Sequence, residues 1–280
     1  MDEILRHLVP GARVLDLGSL TGSFRADACP RALAVRLDLE TPAAGSPEGF
    51  VQADAARLPF ADHCFDAVIA NHSLEHVENF REVLSEIGRV ISADGSLYVA
   101  VPDASTFSDR LFRWVYRGGG HINPFKSSEE LASQITKATG LKLSGSRPLY
   151  SSFEYLNRYY FKPGTDWRLL FAGNGNRQSI MLLSYLARLI DRVFGTRMSH
   201  YGWALYFGKL SEPVEPAPWS NVCVGCGSGF PAAWLVAAKL VRRRFLLCRF
   251  YWCPSCNSGN FFTPDARGGK GKAVAVFERP

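Results

Sequence analysis

Short apolar runs that end in polar residues constrain this fold more than any other feature of the sequence. Five mostly apolar runs precede residue 103, namely 12–17, 32–37, 50–53, 65–70 and 97–101. Runs of this length, without strict alternation, are typical of strands that are buried on both faces of a parallel sheet. We therefore expect a parallel sheet in the first hundred residues.

Helical patterns alternate with these strands. Between Asn79 and Ile91, apolar residues recur at spacings of three and four, which predicts an amphipathic helix that Ala93-Asp94-Gly95 ends. The remaining predicted elements are a helix at 127–139 and strands at 141–149 and 201–210. Strands that alternate with helices predict an α/β fold with a doubly wound, mainly parallel seven-stranded sheet.

Polar residues at the ends of the first strands are expected to line a ligand crevice, since ligands bind at the carboxyl ends of parallel strands. Asp16 adjoins the glycine-containing turn 18–22, where a carboxylate disfavours a pyrophosphate and suits a cationic amino group. Asp38 is placed to accept hydrogen bonds from ribose hydroxyls, and Asp54 from an adenine amine. These acids together predict a positively charged nucleoside without phosphates. Helix capping and turn formation are the alternative role of each acid alone.

The segment Met1 to Pro102 resembles the class I S-adenosylmethionine-dependent methyltransferases of the type 11 domain group. The resemblance lies in the stretches VLDLGSLTG, RLDLE, QADAARLPFADHCFDAVIANHSLEHV and EIGRVISADGSLYVAVP. It implies a Rossmann-like fold with S-adenosylmethionine as the cofactor. The implied contacts are Asp16, Gly18 and Gly22 with the methionine part, Asp38 with the ribose and Asp54 with the adenine, and Ala55 and Asn71 complete the expected cofactor-binding set.

Leu20 departs from the pattern of that family, which has glycine at this position. Glycine lets the backbone close on the ligand, whereas leucine adds bulk where the methionine tail is expected. We expect the leucine to be tolerated if its side chain turns toward the first helix. The alternative is that it marks a loss of activity.

Three histidines are candidates for a general base, which methyl transfer needs only when the acceptor must lose a proton. His72 and His76 follow the fourth predicted strand, and His121 follows a run of three glycines. Imidazole titrates near neutral pH, which suits proton transfer. Packing or capping is the alternative role of these side chains.

The segment Leu74-Glu75-His76-Val77 also resembles a stretch in ubiquinone-biosynthesis O-methyltransferases. In those enzymes acids and the histidine hold a divalent ion, and the position matching His72 is an acid. The replacement of that acid by histidine argues against a Mg²⁺ site in this chain.

Four cysteines near the carboxyl end have the spacing of a metal site. Cys223, Cys226, Cys253 and Cys256 form two Cys-x-x-Cys pairs, and the resemblance is to a zinc ribbon in which all four thiolates bind a structural Zn²⁺. Unrelated surface cysteines are the alternative. The predicted organisation is a methyltransferase domain at 1–210 with an acceptor-cap insertion at 150–200, a proline-rich linker at 211–220 and a zinc-binding tail at 221–280.

Positive charge is concentrated in this tail. The chain has a formal net charge of +6, and nine Lys and Arg residues stand against two acids from Ala217 onward. This asymmetry indicates an anionic partner of the tail, either a membrane surface or RNA. A solubilising surface around a small metal site is the alternative. The basic and apolar segment Trp234 to Phe245 is compatible with a membrane-surface helix, a nucleic-acid contact or a scaffold hairpin.

We expect the chain to methylate an oxygen or nitrogen of a small-molecule, sugar or lipid-linked acceptor. The insertion is rich in aromatic residues that would form an acceptor pocket (Phe153, Tyr155, Tyr159, Tyr160, Phe161, Trp167, Phe171), or else a structural cap over the sheet edge. Two alternatives remain: an RNA or protein methyltransferase that grips its substrate through the tail, and a non-catalytic cofactor-binding or interaction module. With no signal-peptide pattern or membrane-spanning run, the expected location is cytoplasmic, in solution or peripheral to the inner face of the membrane.

Overall fold

A computed structural model describes residues 1–24, 28–43, 45, 47–116, 120–157, 176–215, 217–243 and 248–264. Its helices are α1 (Asp2–Leu5), α2 (Phe80–Val90), α3 (Phe107–Val115), α4 (Ser128–Thr139), α5 (Arg177–Phe194) and α6 (Ala232–Ala237), with a short 3₁₀ helix at Glu154–Leu156. Its strands are β1 (Arg13–Leu17), β2 (Leu33–Asp38), β3 (Phe50–Gln52), β4 (Phe65–Asn71), β5 (Ile91–Pro102), β6 (Leu143–Tyr150), β7 (His200–Gly208), β8 (Val241–Arg243), β9 (Arg249–Trp252) and β10 (Gly259–Phe261).

The large sheet has seven strands in the order β3-β2-β1-β4-β5-β7-β6. The pairs β3–β2, β2–β1, β1–β4 and β4–β5 are all parallel. Chain order therefore reverses between β1 and β4, which is the switch point where doubly wound sheets bind their ligands. The predicted fold class is confirmed.

Apolar side chains cover both faces of the central strands. Val14, Leu15, Val68 and Ile69 are completely buried, as uninterrupted apolar runs in β1 and β4 require. Helix α2 presents Val83, Leu84, Ile87 and Val90 to this core, which confirms the amphipathic helix. Helix α4 begins where Ser127 accepts a hydrogen bond from the Glu130 amide and ends at Gly140 in the left-handed conformation, as the sequence predicts.

The predicted end of α2 is wrong. Ile91 is already extended, with ψ of 141°, and it pairs with Phe65 of β4. Residues 93–95, which were expected to stop the helix, lie inside β5, and the register with β4 shifts between Phe65 and Ala67. Such a register shift, in which one strand has more residues than its partner, lets residues that favour turns lie within the strand.

The chain divides into two compact units. The first comprises Met1–Ala104, Gly120–Arg147 and Trp203–Glu215, and the second comprises Ser105–Gly119, Pro148–Gly202 and Pro216–Pro280. The second unit has an apolar core around Phe153, Leu156 and Ile180 and an antiparallel sheet in the order β10-β9-β8. The domain boundaries at 210 and 220 stay predictions. None of the described helices has the length and apolar character needed to cross a bilayer.

Candidate functional site

Asp16, near the end of β1, has a buried carboxylate with spare acceptor capacity. Its side chain has no solvent exposure, and its Oδ2 accepts a hydrogen bond from the Ser23 amide at 2.7 Å. Its Oδ1 has no hydrogen-bond partner among the described residues. Burial raises the pKa of this carboxyl, because the ionised form loses its hydration. A cationic ligand group would supply the missing partner.

The turn after β1 depends on glycine at position 18. Gly18 has φ of +65°, and its amide donates to the Leu37 carbonyl at 2.7 Å. A Cβ atom there would lie 2.5 Å from the Cβ of Ser73, so any side chain would displace the loop after β4. Gly22 also has a positive φ, of +110°, and closes the turn by donating to the Ser19 carbonyl. At Gly18 the turn therefore packs too closely on the loop after β4 to admit a side chain.

Leu20 adopts the backbone conformation that glycine favours. Its φ is +45°, and its amide donates to Oδ2 of Asp38 at 2.8 Å. A left-handed conformation costs a residue with a side chain about 1–2 kcal/mol. The described residues between β1 and β2 form turns and no α-helix, and residues 25–27 lie outside them. The expectation that Leu20 turns toward a first helix therefore stays a prediction.

Asp38 ends β2, and Asp54 follows the end of β3. The Ala53 amide donates to the Asp38 carbonyl at 3.0 Å, and the Asp38 carboxylate accepts the Leu20 and Glu40 amides. Asp54 is exposed, and its Oδ1 accepts the amide of Ala56 at 2.9 Å. Both carboxylates thus stabilise turns, which was the alternative role considered from the sequence. Both acids also lie at the same edge of the sheet, where β2 and β3 end. Ala55 is half-buried beside Asp54.

The loop after β4 carries the candidate bases. Asn71 ends β4 half-buried, and the His72 amide donates to the Ala100 carbonyl at 2.9 Å, which anchors the loop on β5. His72 has φ of +54°, and its Nδ1 lies 3.6 Å from Oε1 of Glu75. The Glu75 side chain is only 1% exposed. Sequence reasoning did not assign Glu75 to the site, although the resemblance of Leu74-Glu75-His76-Val77 to a stretch that holds a divalent ion was the available signal.

His76 and His121 come together although 44 residues separate them in sequence. Their ring centroids are 5.0 Å apart in an edge-to-face arrangement. Nδ1 of His76 lies 2.9 Å from the Gly120 carbonyl oxygen, so Nδ1 carries the proton and donates to that oxygen. The carbonyl of Glu75 accepts hydrogen bonds from the Ile122 and Asn123 amides. These bonds hold the loop that carries His76 against the segment that carries His121. The structure thus brings together Glu75, His76 and His121.

The four predicted metal ligands of the second unit also converge. Sγ of Cys223 lies 3.6 Å from Sγ of Cys256, and Sγ of Cys226 lies 3.6 Å from Sγ of Cys253. No disulfide joins them. Each pair forms a tight turn, closed by the Gly227 amide on the Cys223 carbonyl and by the Asn257 amide on the Cys253 carbonyl. Hydrogen bonds from the Cys223 and Cys253 thiols lower the pKa of Cys226. Side-chain sulfurs placed in this way match a tetrahedral thiolate site.

A buried arginine lies behind the cysteine cluster. Arg188 of α5 donates to the carbonyls of Ser220, Val222 and Phe261 at 3.2–3.4 Å. Burial lowers its pKa, because the guanidinium loses its hydration. Two of these carbonyls lie just before the Cys223–Cys226 turn in the chain, and the third lies after the Cys253–Cys256 turn. No sequence pattern pointed to this residue.

The basic segment of the tail is a short helix followed by a strand. Helix α6 ends at Ala237, and β8 pairs antiparallel with β9, with Arg242 opposite Phe250. This agrees with the scaffold-hairpin interpretation. Leu235, in the segment for which a membrane-surface helix was one interpretation, is fully buried against Tyr251, whereas Val236 is exposed. Arg244 and residues 265–280 lie outside the described residues.

The described part of the aromatic insertion is a packed core. Phe153 is fully buried, and Tyr155 donates from its hydroxyl to the Ser108 carbonyl at 2.9 Å. Burial is the main cause that raises the pKa of the Tyr155 phenol. The five other aromatic residues named for the acceptor pocket, at positions 159, 160, 161, 167 and 171, lie outside the described residues.

Comparison with known proteins places the match in the first unit. Residues 15–99 match the family described as "Methyltransferase domain". A demethylmenaquinone methyltransferase of Renibacterium salmoninarum is 38% identical over 115 residues, which are 39% of this chain and 48% of that relative. A second one, from Beutenbergia cavernae, is 40% identical over 98 residues, covering 32% of this chain and 41% of its own length. The chain thus spans less than half the length of these curated relatives.

Solved structures are similar over a longer stretch and at lower identity. An S-adenosylmethionine-dependent methyltransferase from Archaeoglobus fulgidus is 19% identical with a TM-score of 0.45, covering 71% of this chain and 86% of that one. The YcgJ protein from Bacillus subtilis is 20% identical with a TM-score of 0.48, covering 73% of this chain and 94% of its own.

Proposed function

We propose that the chain, whose residues 15–99 match a methyltransferase family, transfers a methyl group from S-adenosylmethionine to an oxygen or nitrogen of a small-molecule, sugar or lipid-linked acceptor. The observation that carries this proposal is the Asp16 carboxylate, which is buried at the switch point of the sheet with Oδ1 unpartnered in the described structure. A buried charge needs a partner, and the ammonium group of the methionine moiety is one.

The residues of the crevice suit the other parts of this cofactor. Gly18 and Gly22 would let its methionine part approach the backbone, Asp38 would accept hydrogen bonds from the ribose hydroxyls, and Asp54 and Ala55 would contact the adenine. Asn71, at the end of β4, completes the set. When bound, S-adenosylmethionine supplies an activated methyl group on a sulfonium. This chain has only to align the acceptor with that group and exclude water.

Proton removal from the acceptor is assigned to the histidines after β4. His72 lies with its Nδ1 3.6 Å from the buried carboxylate of Glu75, which can orient the ring toward an acceptor. His76 and His121 lie beside the same acid and are the other candidates. An acceptor hydroxyl needs this step, whereas an amine that is already neutral does not.

The relatives support an apolar acceptor. Demethylmenaquinone, named in the relatives, is a lipid-like small molecule, and this class fits the aromatic character of the insertion. The test is transfer of labelled methyl from S-adenosylmethionine to fractions of small molecules, extracted lipids, RNA and protein. Label in the lipid or small-molecule fraction is expected. Label in RNA or protein alone would favour the macromolecular alternative, and cofactor binding without transfer would favour the non-catalytic one.

We propose a structural Zn²⁺ at Cys223, Cys226, Cys253 and Cys256. Tetrahedral zinc with bonds of about 2.3 Å to sulfur separates the sulfurs by about 3.8 Å, close to the 3.6 Å observed for both cross-pairs. With all four positions filled by thiolates, this ion would have no open site for chemistry.

The basic tail is proposed to hold the enzyme at an anionic membrane surface on the cytoplasmic side, where a lipid-linked acceptor resides. Replacement of Arg242, Arg243 and Arg244 by alanine should weaken binding to anionic vesicles most at low salt, and leave methylation of a small soluble acceptor unchanged. RNA binding that is lost in the same variant would identify RNA as the partner instead.

A further inference from the structure

Glu75, His76 and His121 form a cluster with the properties of a metal site. One ligand atom from each lies within 4.8 Å of the other two. Apart from the four cysteines, this is the single such group in the part of the chain that the structure describes. All three residues belong to the first unit.

The carboxylate of Glu75 has an oxygen available for a ligand. Its side chain is 1% exposed, and Oε2 is buried with no hydrogen-bond partner among the described residues. Its other oxygen faces His72 at 3.6 Å, which is longer than a hydrogen bond. Burying an unpartnered carboxylate oxygen costs free energy, and a cation at this position would remove that cost.

His76 is oriented as a metal ligand would be. Its Nδ1 donates to the Gly120 carbonyl at 2.9 Å, which fixes the tautomer and leaves the lone pair of Nε2 available. Histidines that bind metals commonly donate their second nitrogen to a carbonyl or a carboxylate in this way. The edge-to-face contact with His121 brings a second imidazole to the same place.

We propose that Glu75, His76 and His121 bind a divalent transition-metal ion of the borderline class, such as Zn²⁺, Co²⁺ or Ni²⁺. Two imidazole nitrogens and one carboxylate oxygen suit these ions, whereas Mg²⁺ prefers oxygen ligands alone. The sequence argument against Mg²⁺ at this loop therefore stands, and the ligand set indicates a different class of ion.

The proposed site keeps room for a further ligand. Three protein ligands leave at least one position of a tetrahedral ion open, and His76 is exposed to solvent. The loop follows the carboxyl end of β4, the edge of the sheet where ligands bind. A water molecule or an anionic oxygen would complete the coordination. The inference concerns metal binding and does not depend on the proposed methyl transfer.

Cobalt distinguishes this site from the cysteine cluster. The reduced full-length chain is freed of metal and titrated with Co²⁺. Two ions per chain are expected, one with the thiolate-to-cobalt charge-transfer band of a cysteine site and one with d–d absorption alone. His76→Ala and His121→Ala should each weaken the second binding event at least tenfold and leave the thiolate band unchanged.

His63→Ala is the matched control, because His63 is also exposed and bonds a backbone carbonyl, that of Ile91. It should bind both ions as the unaltered chain does, and circular dichroism should show that all three variants are folded. Uptake of no ion other than the one that gives the thiolate band, or a second ion that persists in both His76→Ala and His121→Ala, would overturn the proposal.

Discussion

In the crevice of the first unit, the buried Asp16 carboxylate keeps an oxygen without a partner in the described structure, whereas the four cysteines of the second unit face one another. The crevice holds its shape through backbone hydrogen bonds such as that of Gly18 with the Leu37 carbonyl. The cysteine turns enclose space for a single ion. Loss of a ligand should therefore leave the crevice folded but unfold the cysteine cluster.

The largest effect is expected for Cys223→Ser. Metal binding supplies about 10 kcal/mol or more to small zinc-dependent folds, and the three short strands β8, β9 and β10 have little core of their own. Zinc content should fall by about one ion per chain, and trypsin should cleave after Arg242 and Arg249. Helix α5 should also loosen, since Arg188 holds it to the carbonyls of Ser220, Val222 and Phe261.

Cys64→Ser is the control for that change, because Cys64 is a half-buried cysteine of the first unit. It should keep its zinc and its resistance to trypsin. If Cys223→Ser also kept both, the cluster would not be a structural metal site and the contrast between the two regions would fail.

A smaller effect is expected for Asp38→Ala, which should weaken S-adenosylmethionine binding by about 1–3 kcal/mol through lost hydrogen bonds to the ribose. The variant also loses the acceptor of the Leu20 amide. Asp94→Ala, an exposed acid near the start of β5, should bind as the unaltered chain does. Equal affinities of the two variants in calorimetry would remove Asp38 from the site.

Asp16→Asn should make the fold more stable at neutral pH and the binding of cofactor weaker. Burial raises the pKa of Asp16, so its favourable contribution is fully present below the unfolded value near 3.8 and declines as pH rises through the folded pKa. The neutral side chain of asparagine avoids this loss, and its oxygen can still accept the hydrogen bond from the Ser23 backbone amide. Thermal unfolding from pH 3 to 8 should show a gain over the unaltered chain that grows with pH. A gain that does not change with pH would show that Asp16 ionises without a burial cost.

The smallest effect is expected for Leu20→Gly. Glycine removes the left-handed strain at φ of +45° but adds chain entropy to the unfolded state, so stability should rise by about 1 kcal/mol or less. Cofactor affinity should hold or improve. A large loss of affinity in the same titration would show that the leucine side chain forms part of the pocket wall.

Local patterns were sufficient to predict the seven strands of the large sheet, helices α2 and α4, and the convergence of the two cysteine pairs, but not the three strands β8, β9 and β10. They could not predict the extension of β5 through Ala93-Asp94-Gly95, because Ile91 and Ser96 on either side pair with β4 and keep the residues between them within the strand. They also missed Glu75 and Arg188, whose significance comes from partners distant in sequence, such as His121 for the first and Phe261 for the second.

Calorimetric titration of the unaltered chain with S-adenosylmethionine, and with ATP for comparison, tests the central claim most directly. The account predicts one S-adenosylmethionine site per chain and no binding of ATP, because a carboxylate beside the turn after β1 attracts an ammonium group and repels phosphates. Absence of S-adenosylmethionine binding, or tighter binding of ATP, would contradict it.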